Sequence, residues 1–206
     1  MDSVSAERMR GGDNAIALVA GVAGLGLATL CLALAGTGQQ GTTIGLRATA
    51  LFSFPFLVGA YAASALAVLW PGELSEWLLL RRRSLGLAFS AALAVHLVLI
   101  VHLLSLPPSP PPKVLGLTPG ILTYMVLAAM VLASFSGFAK VMGPSRVRLL
   151  LRVGLHWVFA VFTLGLLKGV FIRHYYAWWA LPLMIAMTVY AIRFRAWRHL
   201  TFEGGR

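Results

Sequence analysis

Six apolar stretches, residues 15–36, 48–70, 84–106, 118–139, 146–171 and 176–194, follow one another with only short connections between them. Each is near the ~20 residues that carry a helix across the hydrocarbon of a bilayer. A backbone crossing that layer finds no water there and must close its own hydrogen bonds, which a helix does within one segment. The pattern predicts an all-α fold, a polytopic membrane protein with a bundle of six transmembrane helices over residues 15–195. The charge content agrees: 11% of residues are charged, against about 25% in soluble domains. A polar leader over residues 1–14 and a tail over residues 196–206 complete the expected organisation.

The connections carry helix breakers. Thr37-Gly38-Gln39-Gln40-Gly41 separates the first two spans, and Pro71-Gly72-Glu73 closes the second. The third ends at Pro107-Pro108-Ser109-Pro110-Pro111-Pro112, a stiff run that cannot continue a helix. Gly143-Pro144-Ser145 precedes the fifth, with Pro144 and Ser145 as a helix-start signal. The run from Ala15 to Gly36 is longer than the ~7–15 residues of a signal-peptide core. Its leader mixes Asp2, Glu7 and Asp13 with Arg8 and Arg10, so the Ala33-Leu34-Ala35 triplet is read as part of a retained span.

Charge placement orients the spans. The leader, the second and fourth connections and the C-terminal end hold thirteen of the 17 Lys and Arg residues; Arg47, Lys113, Lys168 and Arg173 lie on the other side. The positive-inside rule then puts both termini in the cytoplasm. Tyr175, Tyr176, Trp178 and Trp179 form an aromatic belt at the outer interface. The net charge of +11 is accounted for by this clustering at span ends, so no nucleic-acid partner is expected. Lone Cys31 excludes an intrachain disulfide.

Ionisable side chains inside hydrocarbon are costly and need partners. Of the five histidines, His199 lies in the tail, His174 at the outer end of span five and His102 near the outer proline run; His96 and His156 are the deep ones. Both lie on odd-numbered spans, which run the same way. His96 is twelve residues past Ser84 and His156 eleven past Ser145, about 18 and about 16 Å at the α-helical rise. If those serines mark equivalent helix starts, one haem could be clamped between the two imidazoles, since histidine is a common axial ligand. The alternative is that each imidazole hydrogen-bonds a neighbouring helix, as polar residues in membrane bundles often do.

Arg82-Arg83-Ser84-Leu85-Gly86-Leu87, then eight residues and His96, resembles the third span of the ferric-reductase-like transmembrane family, in its MsrQ/YedZ-like branch. Leu155-His156 is similar to the Leu-His of that family's later haem-bearing span, and the likeness runs from about Leu46 to Phe171. The resemblance implies a six-helix haem b protein of a bacterial inner membrane that moves electrons across the bilayer. His96 and His156 would be the iron ligands, a flavin or quinone the external donor, and a reductase or periplasmic oxidoreductase the partner. The family usually carries a second histidine thirteen residues beyond the first in the later span; here that position is Gly169. The resemblance therefore implies one haem at most.

Arg152 lies one turn before His156 on the same face. It could meet a haem propionate or extend to the headgroups. Lys168 could reach outward or meet a quinone or propionate, while Tyr61 and Tyr124 are polar groups within the bundle. No hydrolase motif and no phosphate-binding glycine loop is present. Two functions remain: a haem b electron carrier, or a cofactor-free bundle serving as an assembly subunit or small-solute carrier.

Overall fold

The computed structural model describes residues 3–106, 114–172 and 176–203, and these are helical with no strand. The helices are α1 (Ser3–Ala35), α2 (Gln39–Leu69), α3 (Glu73–Leu80), α4 (Arg82–Ser105), α5 (Val114–Ala133), α6 (Ser136–Met142), α7 (Pro144–Phe171) and α8 (Tyr176–Arg198), followed by a π-helical turn, His199–Glu203. Four helical segments are long and apolar enough to cross a membrane: Asn14–Ala35, Gln39–Leu69, Arg82–Ser105 and Pro144–Phe171. Thr118–Ala133 is apolar but shorter. α8 ends in Arg193, Arg195 and Arg198.

The breakers act where the sequence places them, with some shifts. Gly36 at φ 84° ends α1, and α2 starts at Gln39, inside the stretch expected to be loop. A Cβ on Gly41 would run into the Gly36 carbonyl, so the chain can turn back this tightly only with glycine there. Gly143 at φ 83° separates α6 from α7, and Pro144 takes the first turn of α7, where its missing N–H costs nothing. The fourth span, expected to run to residue 139, breaks at Ser134–Phe135 and resumes as the short α6. α1 begins well before residue 15, so part of the polar leader is helical. The polyproline run, His174 and Tyr175 lie outside the described residues, as do the side chains of Tyr176 and Trp178.

The chain divides into two compact units, Met1–Ala60 with Leu80–Pro111, and Tyr61–Leu79 with Pro112–Arg206. In the first, α1 and α4 pack in parallel along a seam of small residues. A Cβ on Gly21 would lie 3.5 Å from Ala91, and one on Gly24 3.6 Å from the Ala92 backbone. The first part of α2 runs antiparallel to both, with Gly45 against Leu99 and Cys31 and Phe52 against Gly24. With lipid outside, close backbone approach is what holds such helices together.

In the second unit α5 and α8 each pack antiparallel to α7. Gly154 lets α5 and α7 meet, since a Cβ there would sit 2.6 Å from Met130 Sδ. The Trp157 indole donates to Thr123 Oγ1 at 3.2 Å, joining the same two helices, and that hydroxyl donates to the Pro119 carbonyl at 2.7 Å. The buried core here is Leu155, Val158, Phe159, Leu166 and Ala186, with Tyr61 from the end of α2. Met125, Met184 and Met187 are exposed on the outside, as expected for lipid-facing residues.

The glycine seam makes a direct prediction. Gly24→Ala adds a methyl at ordinary contact distance and should change stability by no more than about 0.5 kcal/mol. Gly24→Leu must push α1 off α4 and should cost about 1–3 kcal/mol, read as a lower unfolding midpoint in detergent.

Candidate functional site

His96, in the first unit, lies fourteen residues into α4, and its helix starts two residues before Ser84. Its Nδ1 is 3.0 Å from Thr49 Oγ1 on α2. Thr49 is fully buried, and its single hydroxyl proton goes to the Gly45 carbonyl at 2.8 Å. The oxygen therefore accepts from the histidine, which places the ring proton on Nδ1. The same hydroxyl also lies 3.2 Å from the Leu46 carbonyl. A threonine one turn from a glycine thus fixes the rotation of an imidazole on the facing helix.

His156, in the second unit, lies twelve residues into α7, which begins one residue before Ser145. Its Nδ1 donates to the Arg152 carbonyl one turn earlier at 2.7 Å, leaving the lone pair on Nε2. Metal-binding histidines are oriented in this way, with one nitrogen tied to a carbonyl and the other presented. The ring is exposed rather than sealed in the core, and it stands edge-on to Tyr61, centroids 5.3 Å apart.

Around it is a cluster that sequence reasoning did not find. Tyr61 stacks on Phe159 at 3.9 Å with planes 8° apart, and Tyr190 meets both rings edge-on. The Arg193 guanidinium lies 4.3 Å from the Tyr61 ring centroid. Its Nη1 donates to the Tyr61 carbonyl at 2.5 Å and to Ser64 Oγ at 3.3 Å, and its Nη2 is 3.4 Å from His156 Nε2. None of these partners is a carboxylate, so a half-buried cation is held by neutral dipoles and a π face. Residues 61, 156 and 193 are far apart in sequence, and in the sequence Arg193 is one of the basic residues clustered at the C-terminal end. The available signal was an arginine on the same helix face as Tyr190, one residue before the end of span six.

Arg152 itself is exposed, and the polar contact described for it is through its carbonyl. His102 is tied by Nε2 to the Thr37 carbonyl at 3.1 Å, at the turn between α1 and α2. Lys168 is exposed near the end of α7. Gly169, where the resembled family has histidine, is buried under the Trp179 indole; a Cβ there would lie 3.1–3.3 Å from the ring. No larger side chain fits without moving Trp179. Among the described residues no three His, Cys, Asp or Glu side chains form a metal-binding group. A haem asks for less, an imidazole with one nitrogen oriented and a lone pair on the other; His156 has both, with Arg193 Nη2 facing that lone pair at 3.4 Å.

No family model matches the sequence, and neither a curated protein nor a solved structure matches it.

Two substitutions test the geometry. Thr49→Val keeps the shape but removes the acceptor for His96 Nδ1, and should cost about 1–3 kcal/mol; Thr49→Ser should recover most of it. A double-mutant cycle of Tyr61→Leu with Arg193→Met should return a coupling of about 0.5–2 kcal/mol, measured by denaturation in detergent.

Proposed function

We propose that this protein is an integral membrane electron carrier with six transmembrane helices, both termini cytoplasmic, in the inner membrane of a bacterial cell. One haem b would be held by His96 and His156. The supporting observation is the Nδ1–H bond from His156 to the Arg152 carbonyl, which orients the ring and leaves the lone pair on Nε2. The pairing with His96 comes from the sequence, as do the six-span count and the orientation. When bound, haem b supplies a one-electron centre within the hydrocarbon layer. Thr49 fixes the His96 ring, and Arg152 or Arg193 offers a cation for a propionate. The Trp179 indole over Gly169 leaves no room for a further ligand there, which supports one haem rather than two. A flavin or quinone would serve as external donor, with a reductase or periplasmic oxidoreductase as partner.

A second reading, a cofactor-free bundle acting as an assembly subunit or small-solute carrier, is favoured by one contact. Arg193 Nη2 lies 3.4 Å from His156 Nε2, the atom an iron would need. In that reading His156 is a structural acceptor for a half-buried cation.

An optical spectrum separates the two. Protein made with ample haem and purified in detergent should show b-type Soret and α bands in the reduced-minus-oxidised difference. His96→Ala and His156→Ala should each abolish them while far-ultraviolet circular dichroism stays unchanged. A featureless spectrum from well-folded protein would reject the haem reading, and unchanged bands in either variant would reject that ligand.

A further inference from the structure

At one end of the second unit, Leu69 and Trp70 from the end of α2 meet Phe194, Arg195 and Arg198 of α8 and His199 of the π-helical turn. They line a cavity of about 470 Å³. That volume falls within the ~300–1,000 Å³ of ordinary ligand sites. The lining pairs two guanidinium groups and an imidazole with two aromatic rings, and contains no carboxylate among the described residues. Neither Arg195 nor Arg198 has a carboxylate partner among the described residues, and both are exposed. α8 is α-helical to Arg198 and then widens into a π turn, so His199 joins the cavity where the helix geometry changes. Trp197 does not line the cavity; its ring contacts Phe194 and Phe202, with centroids 5.9 and 6.1 Å away.

We infer that this cavity is a binding site for a phosphomonoester headgroup, which phosphatidic acid carries and phosphatidylserine, a phosphodiester, does not. Guanidinium forks match phosphate oxygens and keep their charge at any physiological pH. A ring such as Trp70 suits the boundary between headgroups and hydrocarbon, where one face is apolar and the other wet. Basic pockets between helices at the cytoplasmic side of a membrane are where anionic lipid headgroups are held. The site is independent of haem: its residues are not those that orient His156, and the chain would carry it under either reading of function.

The same chemistry could come from a lipid or from a soluble phosphate, so the experiment has an arm for each. Full-length protein is reconstituted into phosphatidylcholine nanodiscs with one tenth phosphatidic acid or one tenth phosphatidylserine, and retained lipid is counted by native mass spectrometry after extraction. A parallel arm titrates detergent-solubilised protein with inorganic phosphate while following tryptophan fluorescence. The expected result is preferential retention of phosphatidic acid, reduced on the order of tenfold in R195Q/R198Q and largely kept in R195K/R198K. A fluorescence response to inorganic phosphate without lipid preference would identify the soluble anion as the ligand and still support the site. Equal retention of phosphatidic acid and phosphatidylserine, with no response to phosphate, would overturn it, because only general surface attraction would remain. The wild-type comparison keeps the test decisive if R195Q/R198Q fails to fold. A R146Q/R148Q variant at the start of α7 should leave the preference unchanged; if it lowers retention as much as R195Q/R198Q does, the assignment to this cavity fails.

Discussion

Every polar group that enters the apolar part of this protein must find its partner inside the protein. The backbone meets this demand by being helical along its apolar segments. Most buried hydroxyls meet it on their own helix: Thr42, Thr49, Thr123 and Thr163 each donate to the carbonyl four residues earlier. A hydroxyl satisfied in this way still has lone pairs to offer. Thr49 accepts from His96 and Thr123 accepts from Trp157, so both joints between helices are built from groups already satisfied locally. The result is a core with no buried side-chain nitrogen or oxygen left unpartnered among the described residues.

Arg193 is the group hardest to accommodate under this constraint. With no carboxylate beside it, the guanidinium uses a helix carbonyl, a serine, an imidazole and the face of Tyr61. These contacts tie α8 to α2 and α7 at the position of His156. The histidine most attractive as a ligand is thereby also part of the solvation of a cation. Any metal or haem iron at Nε2 would compete with Arg193 for the same lone pair, and the guanidinium would be released for an anionic group such as a carboxylate.

Gly169 illustrates how a missing residue becomes a structural statement. In the sequence it is only the absence of an expected histidine. In the fold it is the floor beneath Trp179, at a spacing that a larger side chain would violate. The break between α5 and α6 was less legible, because apolar composition continues through Ser134 and Phe135 while the backbone does not. The early start of α1 and α2 has the opposite cause. Polar residues such as Gln39 and Gln40 extend a helix once its apolar part is held by packing, and hydropathy alone cannot register that.

The sequence by itself determined that the chain is helical, where its long apolar segments lie, which breakers divide them and which histidines fall within them. Those properties depend on local composition and on hydrogen bonds closed four residues apart. Only the tertiary structure decided that Arg193 meets His156 and Tyr61, that Thr49 holds His96, that Trp179 covers Gly169, and that Leu69, Trp70 and the end of α8 line an open basic cavity. Helices apolar on every side carry little record of which face turns toward which neighbour. Their rotation is set by where glycines allow close approach and where the few polar groups can pair, and both are decided between segments far apart in the chain.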